Sequence, residues 1–199
     1  MRKANSGAAR AKRKKGSPER LLWGIPVLLA VLCFLLYANT LGHSLVFDDV
    51  TLILQNRSVL ELDWATILYK GGYRPFRTLT YALNYAVGGE DPFGYHLVNV
   101  LLHALNAVLA FLLFWRLSRS NAVAGIGAAF MALHPVQTAA VAYVSGRKDL
   151  LAAFFLLAGF YLYVSRRKEG GIGWKTLVAV LPLFVLAILS KEVAIVLPV

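Results

Sequence analysis

The chain has 199 residues, 58% of them hydrophobic, a mean hydropathy of +0.62 and a formal net charge of +11. So apolar a composition excludes an ordinary soluble domain and indicates a polytopic membrane protein. The charge does not indicate nucleic acid, because 8 of the 21 Lys/Arg lie in the first 20 residues and most others flank apolar runs, the pattern of membrane topology.

Residues 1–20 read as a disordered basic cytoplasmic tail, and 21–199 as membrane domain. Leu21 to Leu41 carries no charge and is long enough to span a bilayer. Tyr37-Ala38-Asn39-Thr40 offers no small-x-small cleavage site, so the segment reads as an uncleaved first helix with its amino end inside. The single cysteine, Cys33, lies within this run and has no intrachain partner.

Gly42 to about Tyr95 forms a first outer loop. Its acids outnumber its bases, as suits an outside segment. Within it, Tyr73 to Tyr85 reads as an amphipathic helix with Pro75 near its start and Gly88-Gly89 at its end. The aromatics suggest an interfacial position.

His96 to Phe114 is the second span. His96, Asn99, His103 and Asn106 recur at spacings of 3, 4 and 3, which sets them on one helical face. Polar groups on such a face should point into the bundle or a wet cavity. His96 and His103 are seven residues apart, about 10 Å along the axis, too far to share one metal ion.

Ala122 to Leu133 is short for a span and is interrupted by His134-Pro135. Val136 to Tyr143 then lies along the outer surface. Leu150 to Val164 returns inward and Thr176 to Leu189 goes out again, ending at Ser190-Lys191-Glu192. The inside segments of this scheme hold 14 Lys/Arg and the outside segments 7, which supports an inside amino end. The scheme collects Asp48, Asp49, Arg74, Arg77, His134, Arg147, Lys191 and Glu192 on one outer face. The apolar run at Val199 has no finishing polar segment, which gives the expectation of an N-terminal piece of a longer protein, inactive by itself.

No cofactor motif is present and no divalent metal is indicated. A carboxylate beside cations is what inverting sugar transfer from a lipid phosphate requires. One carboxylate takes the acceptor's proton, and Arg or Lys offsets charge on the departing phosphate. On the residues alone, Asp48-Asp49 reads equally as a solvated or helix-capping pair, and the basic residues as interface anchors.

Several motifs in register carry a resemblance. Asn39 to Asp49, Tyr73-Arg74-Pro75-Phe76-Arg77, Asp91 to Asn99, Leu102 to Asn106, Leu133 to Thr138, Gly146 to Leu151 and Ser190-Lys191-Glu192 resemble the transmembrane and tetratricopeptide-repeat O-mannosyltransferases and their bacterial relatives. The resemblance implies an all-α GT-C type bundle of about five to six transmembrane helices, followed in that family by a helical repeat domain. It implies a membrane glycosyltransferase that moves a sugar, mannose in that family, from a polyprenyl-phosphate donor to a protein or glycan hydroxyl on the extracytoplasmic side. Asp48 or Asp49 would be the base. Arg74, Arg77, His134, Arg147, Lys191 and Glu192 would line the site or hold the donor phosphate. The expected setting is a bacterial inner membrane in preference to the endoplasmic reticulum. Two positions depart from the family pattern: Ala139 where a Glu is frequent, and Lys148 where an Ala is frequent. The alternative is a non-catalytic membrane anchor or assembly platform.

Overall fold

The computed structural model describes residues 18–70, 74–167 and 173–196. Residues 1–17 of the expected tail, Tyr73 and the Gly-rich turn at 168–172 lie outside them. Among the described residues there is no strand. The helices are α1 (Pro18–Tyr37), α2 (Arg57–Leu60), α3 (Pro75–Gly88), α4 (Pro92–Ser118), α5 (Asn121–Leu133), α6 (Thr138–Ala142), α7 (Arg147–Arg166) and α8 (Trp174–Ser190).

Local chemistry sets most of these ends. The α4 helix starts on Pro92, with the Asp91 carboxylate accepting the Phe93 N–H at 3.0 Å. It begins four residues earlier than its apolar run suggests, because the cap and not hydropathy fixes the start. Ser120 caps α5. The α3 helix begins at Pro75 and ends on Gly89, whose φ of +60° suits glycine.

Among the described residues, three segments are long and apolar enough to cross a bilayer: Gly24–Gly42, Pro92–Ser118 and Val144–Arg166. A fourth, α5 with Pro135–Ala142, is bent by 46°, and α8 is a shorter apolar helix. The expected five to six spans are thus reached only at the lower end, and only with the bent pair and α8 both counted. The cause of the bend is local: Pro135 cannot continue α5, and His134 Nδ1 accepts the Val136 N–H at 3.2 Å to begin a new turn.

Small residues bring the bundle together. Ala104, Ala107 and Ala110 of α4 meet Ala124, Ala128 and Ala132 of α5, with Leu29 and Cys33 of α1 in the same cluster. Close backbone approach replaces the hydrophobic effect as the source of cohesion among lipid-facing helices. Gly159 of α7 faces Val180 and Leu183 of α8 in the same way. Large apolar side chains such as Leu35, Ile126 and Leu181 stay exposed on the outside of the bundle.

The first loop folds into a second small core. Ile53, Val59, Ile67, Tyr81, Ala82, Tyr95 and Val144 are fully buried together. One face of α3 belongs to this core. Its buried face holds Arg77, Thr78, Tyr81 and Ala82, and Tyr81 donates its hydroxyl hydrogen to the Val144 carbonyl at 2.9 Å. The first loop is packed against the end of the bundle where α7 begins.

Candidate functional site

The two adjacent aspartates have opposite environments. Asp49 is 1% exposed, and both carboxylate oxygens are taken. Oδ1 accepts the Ser145 N–H at 2.6 Å, and Oδ2 accepts those of Val144 at 3.2 Å and Val46 at 3.5 Å. Val144 and Ser145 belong to the tight turn Val144–Gly146 that leads into α7. Asp49 therefore fastens the first loop to the start of α7. Asp48 is exposed and accepts no hydrogen bond from the described residues. Immediately before the pair stands Phe47, an 81% exposed aromatic residue at φ +51°, a strained setting for a side chain of that size.

The basic residues also separate by role. Arg74 forks onto Glu192, with Nε to Oε2 at 2.9 Å and Nη2 to Oε1 at 2.7 Å. Lys191 pairs with Asp149. Together these pairs tie α3 and α7 to the turn that follows α8. Arg77 is only 6% exposed, and its buried Nε has no partner. No hydrogen bond from its guanidinium to a described residue is formed, and the group lies 5.7 Å from the Tyr81 ring centre. Burial pulls the Arg77 guanidinium below its ordinary value; Arg74 pulls the same way, while Tyr81, Asp48 and Glu192 oppose it. The group stays charged at neutral pH. Asp48, Arg74, Arg77 and Glu192 thus share one electrostatic neighbourhood.

Arg147 differs from that group. Its side chain is fully buried, and Nε donates to Asn99 Oδ1 at 3.0 Å. Nη1 donates to Asn84 Oδ1 at 2.7 Å and to the Thr80 carbonyl at 3.2 Å, and Nη2 donates to the Tyr95 carbonyl at 2.8 Å. The Tyr81 ring centre lies 4.9 Å from the guanidinium. Each of the three nitrogens is engaged and the group is sealed from solvent, which fits Arg147 to a structural task better than to holding a phosphate. It welds α3, α4 and α7. Asn84, Thr80 and Tyr81 escaped notice in the sequence. The available signal was Thr80 and Asn84 at i, i+4 on α3, a polar pair on the buried flank of an amphipathic helix.

The polar stripe of α4 has a definite use. Asn99 donates to the Tyr143 carbonyl at 2.9 Å, His103 Nε2 bonds the Ala132 carbonyl at 2.8 Å, and Asn106 donates to the Leu150 carbonyl at 3.0 Å. The first two carbonyls lie where α6 and α5 end, and helix ends leave carbonyls unpaired. In a bilayer an unpaired carbonyl is costly, so side chains from α4 satisfy the broken segment. His96 differs: both ring nitrogens are buried without a hydrogen-bond partner, and its ring meets His43 edge-on at 6.2 Å. His134 is exposed and packs on Phe130 at 5.0 Å. None of its bonds or ring contacts joins it to the Asp48–Arg77 group.

Below the Asp149–Lys191 pair is a cavity of about 340 Å³. Its lining includes the polar residues His103, Asn106, Gln137 and Asp149 and the apolar residues Met131, Leu156 and Phe160. Among the described residues no three His, Cys, Asp or Glu side chains converge as a metal site would need.

The chain is 38% identical over 180 residues to a protein named protein O-mannosyl-transferase Tmtc1 from Drosophila melanogaster, a match over 83% of this chain and 21% of the relative. It is 40% identical over 184 residues to Tmtc2 of the same organism, covering 82% of this chain and 20% of that one. It is 36% identical over 171 residues to TMTC3 from Mus musculus, covering 78% and 18%. The chain thus spans about a fifth of the length of these relatives. No solved structure gives a significant match. A family model described as "Domain of unknown function (DUF6311)" matches residues 89–194, more than half of the chain, so this integral membrane protein belongs to that family.

Proposed function

We propose that the chain carries the donor-side part of a GT-C type membrane glycosyltransferase. It would act on the extracytoplasmic face, with the amino end of the chain in the cytoplasm. The donor is a sugar, mannose by the names of the relatives, on a polyprenyl phosphate. The acceptor is a protein or glycan hydroxyl.

The observation that carries this reading is the contrast within Asp48-Asp49 beside Arg77. Asp49 is spent on backbone amides, which leaves Asp48 as the carboxylate able to accept a proton. In the proposed step Asp48 takes the proton of the acceptor hydroxyl as its oxygen attacks the anomeric carbon. The bond from that carbon to the phosphate oxygen breaks, and its electron pair leaves with the polyprenyl phosphate. The phosphate gains one negative charge, and Arg77, buried and unpaired, offsets it. The cavity beside α7, which reaches Asp149, supports a lipid chain lying against that helix. Lys191 and Glu192 serve to line the site. His96, Asn99, His103 and Asn106 serve the fold, and Arg147 supports the loop from beneath.

Two single substitutions test this. Asp48→Asn is expected to lower sugar transfer by about 10²- to 10⁴-fold, the usual worth of a general base, with thermal stability unchanged. Asp49→Asn is expected to lower the unfolding midpoint, since it weakens a three-amide anchor. Normal transfer by Asp48→Asn would overturn the assignment.

A further inference from the structure

Arg74 and Arg77 stand three residues apart, on one face at the amino end of α3. One is doubly hydrogen-bonded to a carboxylate and the other has no hydrogen bond among the described residues. The buried Nε of Arg77 left without a partner is costly, and a neighbouring anion would relieve it. The fork of Arg74 onto Glu192 has the parallel two-bond form by which guanidinium also holds phosphate.

The mounting of Glu192 is also informative. The α8 helix ends at Ser190, and Lys191 is extended at φ −155°. Lys191 is fixed to Asp149, while the next residue covers Arg74 from the turn Glu192–Val196 with its side chain 48% exposed. Arg74 itself sits at φ +68°, outside the helix and in a strained setting. An anchored residue is thus followed by a half-exposed carboxylate on a short turn, across from a cation pair that is only half used.

We infer that Glu192 is an internal stand-in for the donor's phosphate. Its carboxylate holds Arg74 while the site is empty. When a lipid-borne phosphodiester monoanion settles on Arg77, Arg74 exchanges the carboxylate for a phosphate oxygen, and Glu192 swings into solvent. The same competition favours release of the more highly charged phosphate product, which would otherwise stay on two arginines. The inference rests on reading this arginine pair as the phosphate site of the proposed reaction.

The test is calorimetric titration of the whole chain, in zwitterionic nanodiscs, with farnesyl phosphate as a short polyprenyl monophosphate. Glu192→Gln is expected to tighten binding roughly fivefold, the worth of about 1 kcal/mol from a partly exposed ion pair. The gain should vanish when Arg74→Met is already present, which ties it to that pair. Glu192→Asp, one methylene shorter, should shift affinity in the same direction and serves if the Gln variant fails to fold. Unchanged or weaker binding by the variants, with Arg77→Met still abolishing binding, overturns the stand-in role and leaves the phosphate site standing. Normal binding by Arg77→Met overturns the phosphate site itself. Inorganic phosphate titrated in parallel separates recognition of the phosphate alone from recognition of the lipid-borne group.

Discussion

Replacing Arg147 with Met distinguishes a structural cation from a substrate-binding one. Met is close in length and removes the charge. In the native fold the guanidinium is fully buried and supplies donors to Asn99 Oδ1, Asn84 Oδ1 and the carbonyls of Thr80 and Tyr95. Asn99 still has the Tyr143 carbonyl for its amide group, so the loss there falls on one acceptor. Each buried acceptor left unsatisfied costs about 1–3 kcal/mol, and some of them will relax or take up water. Breaking a buried charged network by removing one member typically costs about 3–5 kcal/mol, and that is the expected range. Against a total stability of about 5–15 kcal/mol, this is a large fraction. The expected result is a markedly lower midpoint in thermal unfolding of the detergent-purified protein, with loss of the first-loop core before the bundle. Arg147→Lys should recover little, because one ammonium cannot serve acceptors spread over three directions. An Arg147→Met protein with an unchanged midpoint but no affinity for farnesyl phosphate would refute the structural role.

Two further outcomes follow from the same region. Gly146→Ala should destabilise strongly, since a Cβ there would lie 2.3 Å from the Ala140 carbonyl oxygen, a backbone atom that cannot swing aside; the Val144–Gly146 turn would shift off Asp49, and limited proteolysis of the first loop would report it. Burial pushes the Tyr81 hydroxyl up to about 12 from an ordinary value of about 10. The native state therefore holds this proton more tightly than the unfolded chain. Its contribution is full below about pH 10 and is lost as pH rises to about 12, a loss of roughly 2–3 kcal/mol. Tyr81→Phe should flatten that alkaline fall in unfolding titrations, at the cost of the bond to Val144. A slope unchanged by the substitution would assign it to another group.

The helical elements were legible because a bilayer leaves few choices. Long uncharged runs must be helices, and the break at His134-Pro135 is plain, while the caps at Asp91 and Ser120 went unread, so α4 begins four residues before its apolar run. The small-residue contact between α4 and α5 follows from composition for the same reason. The polar stripe His96-Asn99-His103-Asn106 could be placed on one face, since that needs only the helical period. What it faces could not be read, because Asn99, His103 and Asn106 bond the carbonyls of Tyr143, Ala132 and Leu150, and carbonyls have no residue letter.

For the site, the sequence by itself determined that Asp48, Asp49, Arg74, Arg77, Arg147, Lys191 and Glu192 carry the charge of one group of connected motifs. It could not assign their tasks. Adjacent aspartates are identical as letters, and only the turn at Val144–Ser145, almost a hundred residues away, takes one of them as its anchor. Arg77 and Arg147 are both buried cations, but Asn84, Asn99 and two carbonyls enclose Arg147, while among the described residues none hydrogen-bonds the guanidinium of Arg77. Hydrogen-bond satisfaction is a property of three-dimensional neighbours. Tertiary packing thus decided which charges hold the fold and which remain available.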